Sequence, residues 1–277
     1  MTKILTAEQI IQYHEDGFVS PIRVMSEDEA FSIKEKLEEA EKKFPQDLNP
    51  ENRNNLHLIF SFLDELAHNS KVVDAVEDLI GPDISLWASV MFNKDPFSDH
   101  FVSWHQDATY MGMNSCEFLT PWIALTQSNL EMGCMTMIPG SHKQNIRKHE
   151  DTFSKNNILT RGQVVKNVDE SNVVDLILKP GEMSIHHGAV IHGSKPNKSK
   201  HRRIGFSLQS YMPPEVEQII GKNMWMHIRG KQRPDRDGMS LYRTQYDMDP
   251  LSVSQRKLAD KNYSNILYNS AKIRRNY

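Results

Sequence analysis

Three stretches of this 277-residue chain carry side chains suited to a metal centre and its cosubstrate. The first is Trp104-His105-Gln106-Asp107. On a strand, residues two apart share a face, so His105 and Asp107 could grip one ion. A lone His-x-Asp arises often by chance, and by itself reads as a surface histidine beside a turn aspartate. The second stretch, Ile185-His186-His187-Gly188-Ala189-Val190-Ile191-His192, sets three histidines among apolar neighbours. Two histidines and one carboxylate on one side of a metal form the facial triad of non-haem Fe(II) oxygenases. Such a triad leaves three adjacent positions open, two for a bidentate 2-oxo acid and one for dioxygen.

Spacing alone does not choose among the three histidines. His192 is preferred because it precedes the turn-rich Gly193-Ser194-Lys195-Pro196-Asn197; His187 is the runner-up, and His186 reads as pocket wall. The third stretch begins at Arg203, eleven residues after His192. A strand, a turn near 196–200 and a returning strand would set Arg203 across a hairpin from His192. Its guanidinium could then bind the distal carboxylate of a dicarboxylic cosubstrate bidentately. On the returning strand Arg203, Gly205, Ser207, Gln209 and Tyr211 read as one polar face, and Ile204, Phe206 and Leu208 as the packing face.

The elements that must position these residues follow from periodicity. Thr6 with Gln9 and Ser26 with Glu29 are capping boxes opening two helices, the first stopped by Gly17. His57–His68 and Val72–Ile80 read as two more helices. From Ser85 the period becomes that of strands: Ser85–Asn93, Val102–Thr109, Trp122–Ser128, Met135–Ile138, Val173–Leu178, Met183–His187 and Ile204–Tyr211. Residues 141–173 form a long polar loop, a lid or an insertion. The reading is one domain over 1–277, mainly β with flanking α: N-terminal helices 1–82, a barrel or sandwich core of about 85–215, and a helical or irregular segment 216–277.

Composition limits the classes. The chain is 38% hydrophobic and 25% charged, with mean hydropathy −0.57. No run approaches the ~18 apolar residues of a membrane span. Net charge is −3, spread as −11 over residues 1–100, +2 over 101–226 and +6 over 227–277. The bases are scattered without a block or aromatic interleaving, which argues against nucleic acid as a partner. Two cysteines, Cys116 and Cys134, make no disulfide framework, and a cytoplasmic location is expected. A small-molecule substrate is expected; the oligomeric state is left open.

In combination these motifs resemble the phytanoyl-CoA dioxygenase family of Fe(II)/2-oxoglutarate oxygenases. The resemblance rests on His105 and Asp107, on His192-Gly193-Ser194-Lys195-Pro196-Asn197, on Arg203, on the Asn129–His142 segment ending Ile138-Pro139-Gly140-Ser141-His142, and on the Ala7–Gly17 helix leading to Phe18-Val19. It covers roughly residues 5–215. It implies a double-stranded β-helix (jelly-roll, cupin-like) core with helices packed outside it. It implies Fe(II) on His105, Asp107 and His192, with 2-oxoglutarate chelating the iron, Arg203 on its far carboxylate and Ser194 beside it. Trp122 and Asn93 are expected in the cosubstrate pocket, and dioxygen is the second cosubstrate. Halogenating relatives replace the metal carboxylate with a small residue; this chain keeps Asp107, which points to hydroxylation.

The reaction so implied couples decarboxylation of 2-oxoglutarate to succinate and carbon dioxide with hydroxylation of a substrate C–H bond. By analogy with bacterial members, a small polar metabolite is expected, an aminoalkylphosphonate such as 2-aminoethylphosphonate or an amino-acid derivative, with Tyr110, Arg161 and Lys166 as candidate anion contacts. An acyl-CoA or acyl chain is the alternative. Of different class are a zinc metallohydrolase on the same ligands and a non-catalytic binding protein. The Arg203 spacing argues against the first, and the complete ligand set against the second.

Overall fold

The computed structural model describes residues 2–233 and 238–274; residues 234–237 and 275–277 of the expected C-terminal segment lie outside the described residues. Four helices come early: α1 (Ala7–Asp16), α2 (Glu27–Lys43), α3 (Ser61–Ala67) and α4 (Ser70–Ile80). Both capping boxes form, on Thr6 and on Ser26, and Gly17 takes the left-handed conformation (φ 85°) that ends α1. The helix expected over 57–68 starts late, because Leu56–Leu58 winds as a 3₁₀ turn before α3.

The strands are β1 (Phe18–Arg23), β2 (Ile84–Lys94), β3 (Val102–His105), β4 (Leu119–Ala124), β5 (Met135–Met137), β6 (His149–Asp151), β7 (Gln163–Val165), β8 (Val174–Leu176), β9 (Glu182–His187), β10 (His192–Ser194), β11 (Arg203–Met212), β12 (Asn223–Arg229) and β13 (Gly238–Leu241). The one-turn α5 (Ala108–Met111) follows β3, and α6 (Pro250–Leu267) closes the described chain. A seven-stranded sheet runs β1-β9-β4-β11-β2-β12-β13, and a four-stranded sheet runs β3-β10-β5-β8. Together they form the double-stranded β-helix core, with β6 and β7 as a separate hairpin inside the long polar loop. The sheet therefore exceeds the expected core of 85–215. β1 enters it from the N-terminal segment, and β12 and β13 extend it beyond residue 215.

Apolar faces fix the layers. Leu37, Val72 and Val76 from the helices pack with Leu86, Ile204, Phe206 and Leu208 of the large sheet in one buried cluster. Each such side chain contributes about 1.5–3 kcal/mol when buried. Phe18, Trp122, Met135, Met137, Leu176 and Val190 form a second cluster, joining strands of both sheets. Trp87, Met111, Phe118, Trp225, Tyr263 and Leu267 form a third, which seats α6 against the sheet. The helices cover one face of the large sheet, and the other face is left for a site.

Candidate active site

β3 and β10 pair antiparallel with His105 and His192 as direct partners. β3 ends at His105, and Asp107 is the helical (φ −57°, ψ −42°) residue that opens α5. The expectation that His105 and Asp107 share a strand face is thus corrected: the turn into α5 swings the carboxylate back to the imidazole. His105, Asp107 and His192 are buried and bring one ligand atom each to within 4.8 Å of one another.

Hydrogen bonds orient this cluster. His105 Nδ1 lies 2.9 Å from the Ser103 carbonyl and 3.1 Å from that of His192. His192 Nδ1 lies 3.1 Å from the Val190 carbonyl. Carbonyls only accept, so each Nδ1 donates and each Nε2 keeps a lone pair for a metal. Those Nε2 atoms lie 3.3 and 3.9 Å from Asp107 Oδ1. The other carboxylate oxygen, Oδ2, lies 3.3 Å from both the Thr120 hydroxyl and His186 Nε2. Burial raises the Asp107 carboxyl, but the adjacent imidazoles of His105, His186 and His192 outweigh it and hold the group well below the usual range. Burial, with His105 and His186 alongside, pushes His192 well below the ordinary imidazole value, so it stands neutral as a ligand should.

The remaining histidines have other partners. His186 braces the carboxylate oxygen turned from the cluster. His187, the runner-up ligand, faces Glu117 at 3.6 Å and stacks near His142.

The cosubstrate end is built differently from the hairpin expected of it. β10 and β11 belong to different sheets, and Arg203 pairs with Lys94 of β2. Arg203 still reaches the metal pocket, whose walls also include Ser194, Trp122, Ser207 and Gln209. Its guanidinium lies 5.2 Å over the Trp122 ring and donates to the Gly133 carbonyl. Its Nε is buried without a hydrogen-bond partner. Burial lowers its pKa to about 10, leaving it charged near neutrality.

Lys94 is 0% exposed. Its ammonium donates 2.6 Å to Ser194 Oγ, 3.3 Å to the Gly133 carbonyl, and to the Lys195 carbonyl. Asn197 explains the turn-rich stretch before it. Its amide donates to the carbonyls of Lys94, Asp95 and His201, clamping the loop onto the end of β2.

Asn93 departs from expectation. Phe92 faces the metal pocket, while Asn93 lines the outer groove with its Oδ1 buried and unpartnered. The strand alternation that brings Phe92 and Lys94 inward turns Asn93 outward. Tyr211 departs too. Ser210 has φ 61°, and the ladder to β4 shifts between Ser207 and Tyr211. This irregularity sends Tyr211 into the helix-covered core, where its hydroxyl bonds the Ala67 carbonyl. Arg161 is spent on Asp151 and on the carbonyls of Leu267 and Asn269, and Lys166 pairs with Glu150 on the surface. Tyr110 does line the site, its hydroxyl buried and without a hydrogen-bond partner.

The residues fit Fe(II) and 2-oxoglutarate on three counts. Two imidazoles present unprotonated Nε2 atoms beside an ionised carboxylate. A buried guanidinium leaves Nε unbonded. No acidic side chain balances Lys94 or Arg203 among the described residues. A buried cation without a counter-charge is costly, and a dicarboxylate supplies one. The metal pocket, of about 50 Å³, adjoins a second chamber of about 50 Å³ lined by Tyr110, Met111, Leu159, Gln209, Tyr263 and Leu267. That chamber meets an outer groove of about 590 Å³ at Arg53 and Ile158, where Arg53 Nη2 donates to the Ile158 carbonyl at 2.5 Å.

A jelly roll holding a His–Asp–His cluster beside a buried arginine defines the non-haem, 2-oxoglutarate-dependent class of oxygenase. The model of the phytanoyl-CoA dioxygenase (PhyH) family matches residues 13–205, and the chain belongs to that family. It is accordingly a 2-oxoglutarate-dependent dioxygenase of the hydroxylase type that uses Fe(II), 2-oxoglutarate and dioxygen and acts on a small molecule. The chain is 29% identical over 221 residues to a probable alpha-ketoglutarate-dependent hypophosphite dioxygenase of Stutzerimonas stutzeri, covering 78% of this chain and 74% of that protein. Its fold matches the apo non-heme monooxygenase ThoJ with TM-score 0.83 at 25% identity, over 94% of this chain and 97% of that one. It matches CytC3 with Fe(II) and alpha-ketoglutarate at TM-score 0.66 and 22% identity, over 90% and 98%.

The peroxisomal phytanoyl-CoA dioxygenases of Bos taurus and Homo sapiens are 27% and 25% identical over 135 residues, 47% of this chain and 40% of each of those proteins. They overturn the cytoplasmic expectation. A low cysteine count tells a reducing interior from an oxidising exterior, and does not separate cytosol from organelle. Among the described residues no helix is long and apolar enough to cross a membrane.

Proposed function

We propose that residues 1–277 act as one catalytic domain in which His105, Asp107 and His192 hold Fe(II), and Arg203, Ser194 and Trp122 hold 2-oxoglutarate. The observation that carries this reading is the buried pair of basic side chains, Arg203 and Lys94, with no carboxylate beside them, next to the His–Asp–His cluster. Bound iron supplies the oxidising chemistry. The chain's part is to orient its ligands through backbone carbonyls, to fix Asp107 with Thr120 and His186, and to keep water from a pocket walled by Phe92, Trp122 and Met135. One C–H bond becomes C–OH while 2-oxoglutarate and dioxygen become succinate and carbon dioxide, with one oxygen atom in each oxidised product.

For the substrate, an acyl chain or acyl thioester is the better supported class. The family is named for such a substrate, and Phe92, Met111, Leu159 and Leu267 give the inner chamber apolar walls. The outer groove has the room and mixed charge for a polar head. A small oxyanion or aminoalkylphosphonate is the second reading, favoured by the Stutzerimonas relative and by Tyr110, Gln209 and Arg53 in the same chamber. Succinate release over a panel of acyl-CoA esters and small phosphorus oxyanions, with product mass measured, decides between them. A 16-Da gain confined to acyl substrates supports the first and a gain confined to phosphorus compounds the second. Absence of 2-oxoglutarate turnover with every substrate, in iron-loaded folded protein, would overturn the assignment of the site.

A further inference from the structure

Lys94 lies behind the wall of the metal pocket, yet it is the most buried cation near it. Burying an ammonium without a counter-charge is costly, and a merely structural position would be filled more cheaply by methionine. Its three donors are all engaged, by Ser194 Oγ and by the carbonyls of Gly133 and Lys195. The carbonyls sit on the two loops that meet beside Arg203, and Gly133 accepts from Lys94 and Arg203 alike. That meeting is tight. A Cβ on Gly133, whose φ is 65°, would lie 2.1 Å from the Lys195 carbonyl oxygen.

The consequence falls on Ser194. A serine hydroxyl has one proton to give. Its one hydrogen bond recorded among the described residues is the one it accepts from the ammonium. Once bound 2-oxoglutarate holds the amine protonated, a charged donor sits on the Ser194 oxygen and the hydroxyl's own proton must point elsewhere, and Ser194 lines the pocket that Arg203 enters. We infer that Lys94 is a positioning residue for the cosubstrate: it locks Ser194 as a donor, so that the Ser194 hydroxyl and the Arg203 guanidinium together bind the distal carboxylate of 2-oxoglutarate. The same arrangement selects against a cosubstrate whose distal end offers N–H donors, such as the amide of 2-oxoglutarate. The groups facing Lys94 are Arg203, which disfavours its charge, and Cys134, which favours it. The inference rests on the reading that 2-oxoglutarate occupies this pocket.

The test is calorimetric titration of 2-oxoglutarate into anaerobic, Mn(II)-loaded protein, for wild type, Lys94→Met, Ser194→Ala and the double variant. A hydrogen bond to a charged group is worth ~1.5–3 kcal/mol, so either single change raises Kd about 10- to 100-fold. The double variant is expected to lie within about threefold of the weaker single variant, because both remove one donor. Succinate release at saturating 2-oxoglutarate should change much less than KM. Wild-type protein that binds no 2-oxoglutarate overturns the pocket assignment itself. Wild-type binding with an unchanged Kd in Lys94→Met, or with fully additive losses, overturns only the role of Lys94. Should Lys94→Met not fold, Ser194→Ala decides alone: an unchanged Kd there removes the donor that Lys94 is inferred to lock.

Discussion

Arg203 and Lys94 are direct cross-strand partners in the β11–β2 ladder, and both donate to one carbonyl, that of Gly133. Like charges facing each other across a sheet repel, more so when both are buried. When both are protonated the pair needs a source of negative charge, and the fold supplies only neutral oxygens, the Gly133 and Lys195 carbonyls and the Ser194 hydroxyl. A dianionic cosubstrate completes the balance, which is why the site is expected to gain stability on loading.

Arg203→Ala removes the only guanidinium that enters this end of the metal pocket among the described residues. Loss of a bidentate, buried charge-assisted contact costs ~3–5 kcal/mol, or at least about a hundredfold in 2-oxoglutarate affinity. Anaerobic titration of the Fe(II) protein, following the visible charge-transfer band, checks this. A band that saturates at the wild-type concentration in the variant would place the far carboxylate elsewhere.

The pH dependence of stability follows from Lys94. Burial, with Arg203 adding to it, lowers its pKa from 10.5 to about 6. Between those values the unfolded chain holds a proton that the folded chain lacks. Stability of the cosubstrate-free protein therefore rises with pH across that window and is lowest below about pH 6. A bound dianion favours the protonated amine, so 2-oxoglutarate binding takes up a proton near neutrality. Urea unfolding at pH 6 to 9 should show a slope that Lys94→Met flattens, and binding heats should vary with buffer ionisation enthalpy. Heats independent of the buffer would show that the amine keeps one protonation state.

Asp107 is held from behind as well as from the front. Thr120→Val and His186→Phe each remove a donor from Oδ2 while leaving the three cluster residues in place. Loss of an outer partner of a metal ligand typically costs 10- to 100-fold in metal affinity, and that range is expected for Fe(II) or Mn(II) here. Asp107→Ala should abolish iron-dependent turnover outright. Metal affinity measured by competition with a chelator separates these cases, and full activity in Asp107→Ala would reject the cluster as the metal site.

Much of this site was legible from residue types and spacing, because its chemistry is local in sequence. His105 and Asp107 are two apart, and His192 opens a stretch whose glycine, proline and asparagine announce a turn. What was not legible is where strands go after they turn. Arg203 was expected beside His192, yet a crossover places β10 and β11 in separate sheets, and periodicity carries no record of pairing partners. β10 and β6 are three residues long, too short for any period to show. Lys94 was legible, with Asn93, as a candidate to face the pocket, but a surface role was equally open to it. Its burial depends on the loops at Gly133 and Lys195, which lie 39 and 101 residues away. Asn93 and Lys94 differ by one place, and one place on a strand is a change of face.

Gly205 gives the last prediction, because it is the floor on which Trp122 lies. A Cβ built there would stand 1.8 Å from Trp122 Cζ2 and 2.3 Å from Cε2, well inside contact distance. The indole is buried and carries the Arg203 guanidinium on its ring, so it cannot swing into solvent without releasing the arginine. Gly205→Ala should therefore cost stability through overpacking, ~1–3 kcal/mol, and loosen 2-oxoglutarate although residue 205 offers no polar side chain of its own. Trp122→Phe in the same background shortens the ring that meets the new methyl group, and should recover stability more fully than affinity. Melting temperature and cosubstrate Kd measured on both variants check the pairing. A Gly205→Ala protein with wild-type values for both would mean that Trp122 does not rest on Gly205.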